Sequence, residues 1–576
     1  MKHLLHYLAF SSFSYCFLGH PSLPVQAQPL PIDVPNPEDT LIEPPLPNEP
    51  PGLLPEETPD LQLELPSQLP LPAEAGETLR FQVGEIELRG MTIDPDQLSL
   101  DVEGETISVA DRIAALTGQE VTLEELLALR AFITQAYINS GYVTSGAFLP
   151  EQTFADGSIV QIQVVEGDLE TLQITGLTRL RERYIRDRIR LRVNQPIRQQ
   201  DIEESLQLLQ LDPLISRVDA QLLAGSGPGQ SILLLEIREA PPLTLGVSAN
   251  NYRSPSSGSA QIAPFISYTN LLGLGDRLDF SYSLTRGLNN YDFSYTVPVT
   301  PQDGSLTFRA TTANSRIIED NFDLLGIRSN SRTFSLSARQ PLSQSPNSEF
   351  ALGLAFDLRR SQTFIFDDIP FSFSPGAEAG EAKVSVVRFF QDWTDRTPDR
   401  VLAARSQFSF GLDAFDATIN NGAPDGRFFS WLGQFQWVQR LSSRNLLVTR
   451  VAAQLTPNSL LSLEQFSFGG INSVRGYRDN QFVTDNGVTG SVELRLPLSA
   501  IPGELQLSPF LEGGIGWNQD AAIEELLSLG VGLRWQIDPS VRMRLDYGYP
   551  LIDVNQDGNT LQEQGIYFSL DWVIKK

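Results

Sequence analysis

Very few of the 576 residues belong to the types that make or break covalent bonds. The histidines are His3, His6 and His20 and the only cysteine is Cys16, so every imidazole and thiol falls within the first twenty positions. Lys2 and His3, an apolar stretch from Leu4 to Leu18 and the small-residue site Val25-Gln26-Ala27 make residues 1–27 a secretory signal, whose removal takes all four groups away. A chain so trimmed has no Ser-His-Asp triad, no thiolate nucleophile and no imidazole or thiolate metal site, so neither catalysis nor a cofactor is expected. What remains is carboxylate and guanidinium chemistry; carboxylate-only catalysis stays open, although no carboxylate pair is recognisable, and the same groups also form charge-assisted contacts.

One guanidinium and one carboxylate are set apart by their surroundings. Phe466 to Phe482 is a long connection in which Val474-Arg475-Gly476-Tyr477 offers an arginine at a tight turn, with Gly469 and Gly470 as the hinge that folds loop 467–483 inward. In Leu505 to Trp517 the alternation sends Leu505, Leu507, Leu511, Ile515 and Trp517 to one face and Phe510 and Glu512 to the other. Gly513, Gly514 and Gly516 leave room there for another backbone. A carboxylate in a confined, partly dry interior needs a cation, and Arg475, Arg534 and Arg544 are the candidates. If the contact is a direct one of Arg475 with Glu512, exchanging the two charges should recover some of the activity.

The elements that must carry these groups are strands. After Pro241-Pro242 helical spacing ends, and Leu243, Leu245, Val247 and Ala249 alternate with polar neighbours. The same period runs through Leu278, Phe280, Tyr282 and Leu284, through Phe429, Trp431, Phe435 and Trp437, and through Leu529, Val531, Leu533, Trp535 and Ile537. About sixteen such segments reach the C-terminus, each near the length a tilted membrane strand needs. Asp292, Arg309, Arg450, Arg534, Arg542 and Arg544 lie mid-strand on the polar face, while aromatics crowd the apolar faces and strand ends. That distribution predicts a closed antiparallel β-barrel over 241–576 with lipid outside and water inside, rather than a soluble sandwich or propeller.

Two small α+β units precede it. Over 79–167 a strand from Phe81 to Leu88 leads to a helix from Val121 to Tyr137 behind a Thr122 cap, then to strands at Tyr142 to Leu149 and Ile159 to Val165. The same order recurs over 168–240: a strand from Leu169, helices Glu182 to Arg190 and Gln199 to Leu209, and strands Ser216 to Leu223 and Gln230 to Ile237. Residues 28–78 hold 14 prolines, 11 acidic residues and no Lys or Arg, the composition of an extended, disordered tether. A formal charge of −28 argues against nucleic-acid partners.

Val474-Arg-Gly-Tyr477 resembles the signature loop of the outer-membrane assembly and secretion superfamily, and Phe510-Leu-Glu-Gly-Gly514 resembles its partner strand motif. Gly141 to Gln152, followed by Val164-Val-Glu-Gly167, is similar to the first polypeptide-transport-associated (POTRA) domain of two-partner secretion transporters, the haemolysin-activator type. Asn270-Leu-Leu-Gly-Leu-Gly-Asp276, between the second and third strands, resembles that branch too. The resemblance implies a 16-stranded transmembrane barrel behind two POTRA domains, sited in the outer membrane of a diderm bacterium with the POTRA domains in the periplasm. It further implies capture of an unfolded, large, β-helical partner polypeptide and its export without ATP. Members pair the loop arginine with an aspartate, where this chain has Glu512. Many members also carry an N-terminal plug helix in the pore, for which the proline-rich segment offers no long amphipathic stretch. Barrel assembly by the outer-membrane machinery would read Phe568, Leu570 and Trp572. For client binding by strand addition, the expected edges are Tyr142, Val143, Phe148 and Leu149, and Val160, Ile162 and Val164. An insertase of the same superfamily, a passive porin and a surface β-rich adhesin are the rival functions.

Overall fold

The computed structural model describes residues 80–576 apart from 103, 423, 499–502, 520 and 555–557. The expected signal (1–27), acidic tether (28–78) and any plug within them lie outside the described residues.

In the first unit Arg80–Arg89 runs parallel to Ser158–Val165, and helix Leu123–Asn139 covers one face of the sheet. Thr122 caps that helix reciprocally: its hydroxyl accepts from Glu125 N at 3.2 Å and its N–H donates to the Glu125 carboxylate at 2.7 Å. Leu126, Leu129, Ile133 and Tyr137, at helical spacing, fill the core against Val160, Ile162 and Val164. The strand expected from Tyr142 to Leu149 shrinks to Gly146–Phe148. Gly141, at φ +88°, turns the helix end back, and Tyr142 N–H bonds to Tyr137 O at 2.9 Å, so residues 142–145 form a turn.

The second unit repeats the plan with Asp168–Thr175, helices Glu182–Arg192 and Gln199–Leu211, then Ile215–Ala224 and Gln230–Glu239. A detail proves the repeat physically. Gly90 (φ +77°) and Gly176 (φ +82°) turn the chain after each first strand, and a Cβ on either would sit 2.5 Å or less from a carbonyl of the parallel strand. Just beyond, Glu166 accepts from Thr92 N at 2.8 Å and Ile93 N at 3.2 Å, and Glu239 accepts from Thr178, Arg179 and Leu180 N–H groups at 2.7 to 2.9 Å. Each carboxylate thus closes its own unit by capping the backbone of the first turn.

Among the described residues, sixteen long antiparallel strands close the barrel, and a two-residue ladder, Ile369–Pro370, extends one of them. Closure joins the first strand, Leu243–Asn250, to the last, Ile566–Lys575, from Thr244 opposite Lys575 to Asn250 opposite Ser569. The faces are sorted as a bilayer requires: Leu511 is 52% exposed while its neighbours Phe510 and Glu512 are 5% and 4% exposed. Charges line the interior in pairs, such as Arg309 with Asp292 at 2.7 Å.

The second POTRA unit is fastened to the barrel rim through helix Glu182–Arg192. Arg181 N–H donates to Gly273 O at 3.0 Å and its guanidinium to Leu272 O at 3.2 Å, Arg188 pairs with Asp303, and Arg192 bonds Gln344 Oε1 at 3.0 Å. The Asn270 to Asp276 turn is shaped for this. A Cβ on Gly275 would lie 2.3 Å from the Tyr184 ring, and buried Asp276 braces the turn by accepting from Leu272 N at 2.9 Å.

Candidate functional site

The connection between the eleventh strand (Leu446–Leu455) and the twelfth (Asn486–Leu498) folds into the lumen. A short ladder pairs Phe466 with Thr484 and Phe468 with Phe482, and Gly469 (φ +116°) and Gly470 (φ +80°) bend the chain beyond it. The tip, Val474 to Tyr477, is fully buried against the inner wall.

Arg475, 1% exposed, meets three carboxylates at once. Its Nε lies 3.0 Å and its Nη2 2.5 Å from Glu512 Oε1, its Nη2 also reaches Glu493 Oε2 at 3.0 Å, and its Nη1 reaches Asp546 Oδ1 at 2.5 Å. The Arg475 N–H adds a bond to Glu512 Oε2 at 2.7 Å, so backbone and side chain grip the same carboxylate. Beneath lies the Phe510 ring, its centroid 3.4 Å from the guanidinium carbon, held up in turn because Gly530 offers no side chain at that spot. The expected Arg475–Glu512 contact is therefore present with glutamate in place of aspartate. Arg534 and Arg544, the other candidates for Glu512, instead pair with Glu493 at 2.9 Å and Asp546 at 2.6 Å, and Arg495 joins Glu493 at 2.8 Å. Four guanidiniums thus neutralise three buried carboxylates, which is what keeps so many charges tolerable in one dry cluster.

The neighbours of Arg475 fix its approach. Gly476, at φ +100°, lies against the backbone of Gly548 on the strand Val541–Pro550, where a Cβ on Gly548 would sit 2.6 Å from Gly476 N. Gly476 N–H donates to the Tyr567 hydroxyl at 3.0 Å, and that hydroxyl donates to Tyr477 O. The Tyr477 hydroxyl lies 2.8 Å from Leu527 O and 2.9 Å from Ile552 O, in reach of either carbonyl. The glycines of the Phe510 motif act differently from expectation. Gly514 and Gly516 make room for side chains, Phe468 and Val474, whereas Gly513 lies on the outward parity; the close backbone approach occurs at Gly548.

Glu493, Asp546 and Tyr567 did not emerge from sequence reasoning. Their parity was legible, since Asp546 shares a face with Arg542 and Arg544, but nothing along one strand says which lumenal charges meet across strands.

The candidate client-binding residues divide. Val160, Ile162 and Val164 are 1% exposed or less and belong to an interior strand, paired on one side to Arg80–Arg89 and on the other to Gly146–Phe148. Where that short neighbour ends, Gln152 takes over, accepting from Gln161 N and donating to Gln161 O, both at 2.8 Å. These three are core residues, so the edge expected there is closed. Tyr142 edges onto Tyr137 and lies under Arg198 at the junction of the two units, Val143 is half-buried, and Leu149 packs on the core. Phe148 alone is well exposed. In the second unit, by contrast, Ile215–Ala224 pairs only with Gln230–Glu239, and among the described residues no strand covers its other edge.

Comparison with known proteins bears on most of the chain. The outer membrane transporter CdiB of Escherichia coli is 25% identical over 429 residues, covering 71% of this chain and 70% of that protein. The heme/hemopexin transporter protein HuxB of Haemophilus influenzae is 22% identical over 476 residues, covering 77% and 81%. The assembly factor BamA of Nitratidesulfovibrio vulgaris is 24% identical over 512 residues but covered to only 60% of its length. In structure, CdiB from Escherichia coli superposes with a TM-score of 0.67 at 22% identity over 88% of this chain and 93% of that one, and CdiB from Acinetobacter baumannii with 0.58 at 17% over 89% and 95%. Residues 99–167 match the POTRA domain of ShlB type, and residues 229–535 match the haemolysin secretion/activation protein ShlB/FhaC/HecB. A barrel with lipid-facing leucines, two POTRA units and a lumenal Val-Arg-Gly-Tyr loop, matched over more than half its length, belongs to the ShlB/FhaC/HecB family, the outer-membrane transporters of two-partner secretion.

Proposed function

We propose that the POTRA units capture an unfolded partner polypeptide in the periplasm and that the Val474 to Tyr477 loop is the gate it must displace. Capture is by strand addition to the open edge of Ile215–Ala224, where main-chain hydrogen bonds give affinity without demanding a sequence. The client is a separate, large, secreted chain that folds as a β-helix outside, and that folding supplies the direction, so no nucleotide is consumed. No catalytic step is assigned to any residue. The barrel sits among outer-membrane lipids, and the assembly machinery reads Phe568, Leu570 and Trp572 on its last strand.

The observation carrying this reading is a loop folded into the lumen and held to the wall through ion pairs, hydrogen bonds and apolar packing. Such a network keeps one arrangement while every partner is satisfied, so the tip moves only when replacement partners are supplied. A passive porin needs an open lumen. An insertase needs an opening in its wall, whereas the seam between first and last strands is hydrogen-bonded along the whole first strand. A photo-crosslinker at Gln221, on the open edge strand, should trap the client during secretion by the full chain, and one at Glu87, on an interior strand, should not. Equal trapping at both, or none at Gln221, removes the capture step.

A further inference from the structure

Ahead of the Val-Arg-Gly-Tyr tip, the loop makes a second attachment that the pairing of Arg475 does not explain. Residues 456–465 leave the eleventh strand and cross to strands seven and eight, Ser348–Ile365 and Glu381–Thr397. There Glu464, with its side chain 4% exposed, accepts from Arg359 Nη1 at 2.8 Å and from Arg388 Nη2 at 2.9 and 3.0 Å. Arg388 is itself oriented by Asp357 at 2.6 Å and Ser409 at 2.9 Å. Two guanidiniums and two carboxylates therefore cancel. Around this ionic group Leu460, Leu461 and Leu463 pack on Ala382, Val384, Val386 and Phe428, an apolar patch on the inner wall of the barrel. The near end is tied down as well: Leu460 N–H and the Gln465 amide both donate to Asp485 Oδ1, at 3.0 and 2.9 Å.

Position in the ring gives the attachment its meaning. Arg359 and Arg388 stand on the seventh and eighth strands, and the partners of Arg475 stand on the twelfth, thirteenth and fifteenth, which in a closed ring of sixteen lie four to eight strands away. One loop is thus clamped to two separate stretches of wall, by Glu464 on one and by Arg475 on the other.

We propose that Leu460 to Glu464 is a second closure of the pore, a clasp on its own stretch of wall whose release opens the lumen while Arg475 keeps the tip in place. The inference rests on the gating reading above and divides it into two parts. Arg475 positions the loop, and Glu464 decides whether the lumen conducts. An isosteric change at Glu464 removes the charge, leaves Arg359 and Arg388 facing one another with only Asp357 between them, and favours the released state.

The test uses the full-length chain in planar lipid bilayers. Glu464→Gln should raise the open probability about tenfold over the unaltered protein, a shift that population arithmetic equates with a modest bias between two states. The double variant Glu464→Arg with Arg359→Glu, which re-forms that pair with its charges exchanged and leaves Arg388 on Asp357, should return it part of the way toward the starting value, a rescue that a merely loosened barrel would not give. Arg359→Gln, which leaves the Arg388–Asp357 pair intact, carries the same expectation as Glu464→Gln and serves if that variant fails to assemble. Unchanged conductance in correctly assembled Glu464→Gln and Arg359→Gln overturns the clasp. Equal opening in both singles and the double variant overturns it as well. If instead the unaltered chain exports no partner while Glu464→Gln still opens the pore, the clasp stands and the export reading falls.

Discussion

Glu512 is gripped twice by Arg475, through the guanidinium Nε at 3.0 Å and through the backbone N–H at 2.7 Å. The second bond requires no particular side chain at 475, so the loop backbone is registered on the wall even where the charge is altered. The fork to Glu493 and Asp546 is what only arginine supplies. Arg475→Lys, a point charge on a flexible stem, is therefore expected to lose export nearly as fully as Arg475→Ala, with barrel abundance unchanged in both. Immunoblots of heat-modifiable barrel alongside secreted partner measure the two quantities. Full export by Arg475→Lys would show that charge alone suffices.

Exchanging the charges should not rescue. A simple pair would tolerate Arg475→Glu with Glu512→Arg, but a glutamate at 475 would face Glu493 and Asp546 in a buried site, where an uncompensated charge is destabilising by about 3–5 kcal/mol. The double variant is expected to secrete no more partner than Arg475→Glu alone. Recovery to near the normal level would mean that Glu493 and Asp546 are spectators.

Gly275→Ala should unseat the second POTRA unit from the rim. Its φ of +81° already disfavours a side chain by about 1–2 kcal/mol, and the new methyl would meet the Tyr184 ring. Trimming that ring with Tyr184→Ala in the same chain should relieve the clash but not the backbone strain. Protease cleavage near residue 240 reports the outcome: faster in Gly275→Ala, intermediate in the double variant. A cleavage rate unaltered by Gly275→Ala would mean the turn does not seat the unit.

Acid should loosen the first POTRA unit before the second. Burial alone would raise the Glu166 carboxyl, but donors from Thr92, Tyr137 and Ile93 hold it below its ordinary value; Glu239 is lowered likewise by Arg179, Leu180 and Thr178. A carboxylate lowered on folding stabilises above the unfolded value of about 4.3 and loses that contribution as pH falls through its folded value. The second unit also contains Asp212 and Asp201, both raised, by burial above all, and these work in the opposite sense as pH falls. Pepsin digestion between pH 5 and pH 3 should cut the first unit earlier, and Glu166→Gln should advance that cutting toward neutral pH. The reverse order of cleavage would show the clamps to be unimportant.

Period-two alternation carried most of the barrel into view, because lipid outside and water inside force strict parity on every strand; Leu511 and Glu512 fell on the faces assigned to them. The helix behind Thr122 was equally legible, its cap being local chemistry. What parity cannot supply is register between strands, so Glu493 and Asp546 stayed hidden although their faces were known. It also cannot tell an edge from an interior strand. Val160, Ile162 and Val164 alternate in the same way whether or not a neighbour pairs beside them, and Gln152 closes that neighbour's gap with a side chain no periodicity records. Gly513 was assigned to a backbone approach that occurs at Gly548, since a run of glycines marks proximity without saying to what.

The docking of helix Glu182–Arg192 also has a directional consequence. Its partners Gly273 and Asp303 lie in the turns after strands two (Gln261–Thr269) and four (Leu288–Pro298), and Gln344 ends strand six (Arg328–Gln344), one arc of the periplasmic mouth. The doorway is therefore built like a half-shuttered window. The second POTRA unit covers the arc of strands two to six, and Arg475 is anchored outside that arc, on Glu493, Glu512 and Asp546 of strands twelve, thirteen and fifteen.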